Sequence, residues 1–242
     1  MGKKILGEDI EEPRYFETTD TAPETADTDE GTREMGMLPP FIISGGENTE
    51  RYYFIHISNV TEYKFNIKPE YFSGESNYTE VFEKRITEII RNNTDAKIFC
   101  VFDWDTIYGD AVKLKKHKDF TDKFKEEIKN GSVVICESMP CIEYWFLLHF
   151  TNYTKLLKTY SKVSQLLSPL KKCFPNQKIK LKKLLKKEEY LKDEQWVRNL
   201  CSEGKLENAI RNAEHNIKTA EETGDLENQS YTKVYKIFKN EI

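Results

Sequence analysis

Hydrophobic and polar positions switch between two periods along the middle of the chain. Leu38 to Ser44 (LPPFIIS) is a short apolar run stopped by Gly45 and Gly46, and Thr49 to Ile57 then spaces aromatic and aliphatic residues as a helix does. Strand, glycine turn, helix is the economical reading. Tyr63 to Lys68 alternates aromatic and polar residues like a second strand, and Val81 to Ile90 sets positions 82, 86, 89 and 90 on one helical face. Lys97 to Phe102 (KIFCVF) is nearly continuous in apolar character, as expected of a strand covered on both faces. Phe120, Phe124 and Ile128 repeat at helical spacing, and Val133 to Cys136 reads as another buried strand. Ser138 is placed to cap the next helix with Pro140 in its first turn, and CIEYWFLLHF continues that helix, apolar nearly all round and therefore central. From 154 onward the pattern is helical and lysine-rich, interrupted at Pro169 and Pro175, with a last helix near 203–222. The alternation predicts an α/β protein: a mostly parallel sheet with right-handed crossovers, flanked by helices, followed by a helical, lysine-rich C-terminal extension. The expected divisions are 1–37, 38–150 and 151–242.

Composition narrows the class. With 242 residues, 38% hydrophobic and 32% charged, the chain is long enough for one well-buried domain, and 14 Phe, 13 Tyr and 3 Trp supply its bulk. The longest apolar run, Tyr144 to Phe150, falls far short of the roughly 20 residues a membrane-spanning helix needs. The opening MGKKILGEDIEEP meets acids directly after a brief apolar patch, unlike a signal peptide. Five cysteines without a close CxxC pair suggest neither a disulfide framework nor a zinc knuckle, so a reducing, cytoplasmic setting is expected.

Charge is segregated. Residues 1–37 carry 11 acids and 4 bases, a local charge of −7, whereas the remainder carries 30 acids and 33 bases. The first stretch lacks aliphatic periodicity and is expected to be largely disordered. Tyr153 to Lys187 holds 11 lysines and no acid. Such density suits neutralisation of nucleic-acid phosphates, and equally a solvated helix face. Lys171, Lys172, Lys182, Lys183 and Lys186 are the candidate contacts in this stretch. An acidic tail of opposite sign is expected to shield them, so that deleting 1–37 raises nucleic-acid affinity at low salt.

Ligands of open parallel sheets bind beyond the carboxyl ends of the strands, so polar residues there carry most functional weight. One such end is Ser44-Gly45-Gly46-Glu47-Asn48-Thr49-Glu50, where glycines tighten the turn and Glu47 and Glu50 flank a helix start. A second is Asp103-Trp104-Asp105; carboxylates at i and i+2 of an extended chain project to one side and can offer hard oxygens to a magnesium ion, or they can simply cap a turn. Trp104 between them serves as a wall or as a stacking platform for a base. A third is Glu143, a carboxylate inside an apolar helix, which needs a cation or donors around it. Lys113, Lys115, Lys116 and His117 follow the Asp103 loop, and Lys113 and Lys116 are candidates for approaching a phosphate. The four histidines are scattered, and His149 reads as a hydrogen-bonded core residue.

Taken together, FIISGGENTERYYF, VFDWD and ESMPCIEYWFLLHF resemble the three ordered motifs of the RloB-like family, a branch related to Toprim nucleases. The resemblance spans about residues 38–150. It implies a Toprim-like fold, metal ligation by Asp103 and Asp105 with Glu47, catalytic roles for Glu47, Glu50 and Glu143, and magnesium, or manganese in its place, as cofactor. Asp110 is a further carboxylate near this motif. The chain departs from the family pattern at Gly45, where a glutamate is usual, and at Thr106, where a second aspartate is usual. By the same resemblance the expected function is a metal-dependent nuclease, with RNA such as transfer RNA favoured over DNA as substrate, acting as a toxic effector in bacterial anti-phage defence beside an ATPase partner, with homo-oligomerisation open. The competing expectation, favoured by Gly45, is a non-catalytic adaptor that binds nucleic acid and the ATPase.

Overall fold

Parallel strands cannot be joined by hairpins, and each apolar run in the first half of the chain is followed by a helix that makes the necessary crossover. The computed structural model describes residues 38–46, 48–68 and 78–239. The acidic stretch 1–37, expected to be a disordered shield, and Glu47, expected to be a metal ligand, lie outside the described residues. Strands β1 (Phe41–Ser44), β2 (Asn66–Lys68), β3 (Ile98–Asp103), β4 (Val133–Met139) and β5 (Tyr231–Thr232) form one sheet in the order β2-β1-β3-β4-β5. The first four are mutually parallel, and β5 runs antiparallel to β4 with Ser138 opposite Thr232. The architecture is the mostly parallel α/β sheet expected and is consistent with a Toprim-like fold.

The helices after β1 and β2 go to opposite faces. Helix α1 (Thr49–Val60) buries Tyr52, Tyr53, Phe54 and Ile57 against Ile42, Phe99 and Val101 on one side. Helix α2 (Tyr78–Asn92) buries Val81, Phe82, Ile86 and Ile89 against Ile43, Ile98, Cys100 and Phe102 on the other. Strand order therefore reverses between β1 and β3, which opens a crevice at their carboxyl ends. The α2 face is completed by α3 (Ala111–Lys123) and α4 (Lys125–Lys129), two helices where the periodicity suggests one; Phe124 leaves helical dihedrals between them while its ring stays in the core.

The α1 face is much thicker. Helix α5 (Ile142–Leu148) is buried at every residue, as its all-round apolar character requires, and Trp145 donates its indole N–H to the Tyr53 hydroxyl at 2.8 Å. Around it lie α6 (Tyr160–Leu166), α7 (Ser168–Lys171), α8 (Leu181–Lys186), α9 (Glu188–Leu191), α10 (Gln195–Cys201), α11 (Lys205–Thr223) and α12 (Tyr235–Lys239). Val163, Leu170, Leu184, Leu191, Trp196, Ala213 and Phe238 from these helices share one apolar cluster with Ile42 and Phe99 of the sheet. The C-terminal region is thus helical and lysine-rich as expected, but it also covers one face of the sheet and returns to add β5.

Two local expectations are corrected. Ser138 does not cap α5: it is the penultimate residue of β4, and its hydroxyl pairs with that of Thr232 at 2.7 Å. Pro140 precedes the helix, after a cis Met139–Pro140 bond, instead of standing in its first turn. The second strand begins at Asn66, because Tyr63 and Phe65 are spent on aromatic packing with Phe238. Among the described residues no helix is long and apolar enough to cross a membrane.

Candidate active site

The crevice between β1 and β3 is floored by acids. The Gly45 N–H continues the sheet by donating to the Val101 carbonyl at 2.7 Å, and the chain then turns through Gly46 into α1. Glu50, in the first turn of α1 and only 8% exposed, folds back against that turn. A Cβ on residue 46 would lie 2.3 Å from its Oε2, so only glycine leaves room for the carboxylate. Asp103 ends β3, and its Oδ1 accepts the Ile142 N–H at 2.7 Å, capping α5 where Cys141 offers no side-chain cap. Glu50 and Asp103 line one cleft of about 550 Å³ together with Gly45, Gly46, Tyr78, Phe102, Asp110, Lys113 and Lys116. Its wall is aromatic, since Tyr78 stacks on Phe102 with ring centroids 4.7 Å apart.

Asp103 and Asp105 are not both on extended chain. Asp103 keeps strand dihedrals, but Trp104–Thr106 form a turn of 3-10 helix, so the same-side argument from i and i+2 fails. Asp105 turns toward the first residue of α6, accepting the Tyr160 N–H, which partly offsets the effect of burial on its carboxyl. It does not line the cleft. Asp110 does, with Oδ1 committed to the N–H groups of Val112 and Lys113 at 3.0 and 3.1 Å as the cap of α3. Asp103 and Asp105 thus accept backbone N–H groups at the starts of helices from later parts of the chain and not within a local turn, and Asp110 caps the helix that follows it.

The acids act on one another. Burial pushes the Glu50 carboxyl up to about 7, with the charge of Glu143 adding to it against the pull of its own backbone N–H. Asp103 is raised well above the carboxylate range by burial and by Glu50 and Glu143, which outweigh the Ile142 N–H. Glu143, 8% exposed in α5, is raised by burial, and is relieved by the Cys141 thiol, its own N–H and the distant positive charge of Lys186. Among the described residues none of Glu50, Asp103, Asp105 and Glu143 has a lysine or arginine at ion-pair distance. A cluster of acids that repel one another in a low-dielectric crevice has the donor chemistry for a hard divalent cation. Among the described residues no three His, Cys, Asp or Glu side chains are grouped as a metal centre. The fit is instead that of an open site: one or two carboxylates, here Glu50 and Asp103, with water and substrate phosphate completing the octahedron of magnesium.

Basic residues lie on both sides. On the α3 side, Lys113 and Lys116 line the cleft, and Val112 at its mouth is 68% exposed. On the other side, α8 and α9 are fastened along α1: Thr49 Oγ1 donates to the Leu185 carbonyl at 2.6 Å, the Tyr52 hydroxyl to Glu188 Oε1 at 2.5 Å, and His56 Nε2 to the Leu191 carbonyl at 2.6 Å. This sets exposed Lys182, Lys183 and Lys186 beside the start of the helix that carries Glu50, with Lys183 over the Tyr190 ring. Lys171 and Lys172 close α7 and do not line the cleft. Trp104 does not line the cleft; it is edge-on to His117 at 5.3 Å and packs against both cores. His149 is a core residue, with Nδ1 3.1 Å from the Trp145 carbonyl. Sequence reasoning misses Tyr78 and Thr79 of the cleft, and Cys141 and Tyr160 beside Glu143 and Asp105. Tyr78 had a usable signal, the start of an amphipathic helix; Tyr160 had none, because the link to Asp105 is purely tertiary.

Fold and site together define an α/β protein whose switch-point crevice has an acidic floor, an aromatic wall and basic rims. Residues 41–240 match the model of the RloB-like protein family, and the chain belongs to that family. No curated protein and no solved structure matches it.

Proposed function

We propose that this protein is a metal-dependent nuclease, with Glu50 and Asp103 holding a magnesium ion. The observation that carries the reading is that these two carboxylates, both raised first by burial and then by neighbouring acids, Glu143 for Glu50 and Glu50 and Glu143 for Asp103, share one cleft with Lys113 and Lys116. When bound, the metal supplies polarisation of a phosphoryl oxygen and a more acidic water. Lys113 and Lys116 bind and orient phosphate oxygens from the α3 rim, and the α8 lysines extend the track of positive charge for a polyanion longer than one phosphate. Glu143 tunes Glu50 and Asp103 through its charge. Tyr78 and Phe102 wall the cleft and reduce its access to bulk water. The motif resemblance favours RNA, transfer RNA included, as substrate, and an ATPase-partnered, toxic role in anti-phage defence.

A second reading, a non-catalytic adaptor on the same fold, rests on Gly45. A Cβ there would stand 3.1 Å from that of Phe102, 3.2 Å from that of Tyr78 and 3.3 Å from the Val101 carbonyl oxygen, so the glutamate of the family pattern would fit only with a shift of its neighbours.

The test incubates the protein with magnesium and labelled cellular RNA and DNA, with and without its ATPase partner, alongside Glu50→Gln and Asp103→Asn. Cleavage by the wild type that falls in both variants by more than the roughly 10- to 100-fold typical of an outer-shell loss supports the proposal. Undiminished cleavage in Asp103→Asn overturns the site, and a wild type that binds nucleic acid without cleaving it under every condition supports the adaptor. Lys113→Ala and Lys116→Ala should each reduce the salt slope of binding by about one.

A further inference from the structure

Among the described residues five large hydrophobic side chains are exposed, and three of them, Tyr108, Val112 and Leu114, fall on the loop after β3 and the start of α3. Core packing does not account for them. Helix α3 buries only Phe120, and Ala111 to Lys116 are exposed throughout. Val112 and Lys116, one helical turn apart, both line the acidic cleft. Tyr108 does not line it, but Thr106 and Asp110, two residues to either side, do. The Tyr108 side chain, 59% exposed, therefore stands on the lip of the cleft. Its ring is bare, but its backbone is held. The Tyr108 N–H donates to the Trp104 carbonyl at 3.0 Å, the Asp110 N–H to the Ile107 carbonyl at 3.1 Å, and the Thr106 hydroxyl to the Asp103 carbonyl at 2.7 Å. Ile107, next in the chain, is wholly buried in the α2-side core, and Lys113 Nζ ties α3 to the Thr106 carbonyl at 2.9 Å.

A tyrosine anchored at its base and bare on its face is a preorganised contact, because only two side-chain torsions are left to order on binding. Trp104, the ring that the sequence offers for such a role, is packed against both cores; the bare ring is four residues further on. The charge around it has one sign. Ala111 to Lys118 carries four lysines and no acid. Lys115, Lys116 and Lys118 are exposed and, among the described residues, stand in no ion pair. A nucleic acid supplies phosphates for such lysines and flat faces for the ring in one molecule. In a duplex each base face is covered by the neighbouring pair, so only an unpaired base offers its face.

We propose that Tyr108 is a base-stacking residue by which the cleft selects single-stranded nucleic acid. An unpaired base lies on the Tyr108 ring, Val112 gives an apolar contact beside it, and the adjoining phosphates run along Lys115, Lys116 and Lys118. Paired strands meet the same lysines without the stacking, so the ring sets the preference and the lysines set only the common part of the affinity. This inference rests on the reading of the cleft as a nucleic-acid site and names the class of strand that the site takes.

The test measures binding of the full chain to a short fluorescent RNA strand, to the same strand paired with its complement, and to an abasic strand of equal length. Magnesium is left out so that the strands stay intact. The expected result is tightest binding of the unpaired strand. Tyr108→Ala should weaken that strand alone by about 5- to 100-fold, and Tyr108→Phe, which keeps the ring, should restore it. Equal binding of unpaired, paired and abasic strands by the wild type overturns the inference and leaves the assignment of the cleft standing. So does an unpaired strand that Tyr108→Ala binds as well as the wild type does, which would turn the exposed ring over to a protein contact. Equal weakening of the abasic strand by Tyr108→Ala also overturns it, since the ring would then act on the fold of the loop. Binding of no strand at all overturns both this inference and the reading beneath it. The comparison of intact and abasic strands on the wild type keeps the test decisive should Tyr108→Ala not fold.

Discussion

Two buried glutamates near the carboxyl ends of the strands have nearly the same exposure and opposite surroundings. Glu137 in β4 is 6% exposed and has the Lys233 ammonium at 2.6 Å; Glu50 at the start of α1 is 8% exposed and has Asp103 and Glu143 as its charged neighbours. Depth alone does not distinguish a structural carboxylate from a functional one. What differs is whether the fold supplies the opposite charge. At Glu137 it does, through the loop that follows β5. At Glu50 it supplies more negative charge, an arrangement that costs stability and is the usual mark of a site kept for a ligand.

The largest stability effect that tests this contrast is Lys233→Ala. Removing the ammonium leaves Glu137 buried without its partner and should cost about 2–3 kcal/mol in denaturant unfolding, somewhat below a fully buried pair because Lys233 is 24% exposed. A loss under about 0.5 kcal/mol, the size of an ordinary surface change, would dissolve the contrast. Next is Gly46→Ala, whose added Cβ must displace the Glu50 carboxylate; the expected cost is about 1–2 kcal/mol, together with weakened magnesium binding measured by calorimetry. A smaller effect of opposite sign is expected for Asp103→Asn. The amide still accepts the Ile142 N–H but removes one of the repelling charges, so the metal-free protein should gain about 0.5–1 kcal/mol while magnesium binding is lost. Destabilisation by Asp103→Asn would mean that the acids do not repel as described.

The pH dependence must be stripped of a third buried group before the acids can be seen. Burial holds His149 neutral, with its pKa lowered from 6.5 to about 3. Between those values the unfolded chain binds a proton that the folded one does not, so stability falls as pH drops below about 6.5, at most by about 1.4 kcal/mol per pH unit. At neutral pH the effect vanishes. His149→Gln should flatten this acid limb in unfolding titrations; an unchanged limb would assign it elsewhere.

Much of the frame was legible from local pattern. The run of Phe41–Ser44, the stop at Gly45-Gly46 and the continuous apolar stretch before Asp103 each obey a period that depends only on neighbours in sequence, and so did the central α5. The acidic crevice was legible as residue types at strand ends. Its partition was not: Asp103 caps a helix that starts at Ile142, and Asp105 one that starts at Tyr160, and no period links residues so far apart. Strand β5 was equally hidden, because two residues have no periodicity and Tyr231 and Thr232 become a strand only by meeting Met139 and Ser138. Ser138 looked like a cap for the same reason, its true partner being Thr232.

The three hydrogen bonds that run from Thr49, Tyr52 and His56 to the segment 185–191 occur at about one per helical turn. They stitch the lysine-bearing arm to the glutamate-bearing helix, so loss of any one of them is expected to loosen the arm where it meets α1.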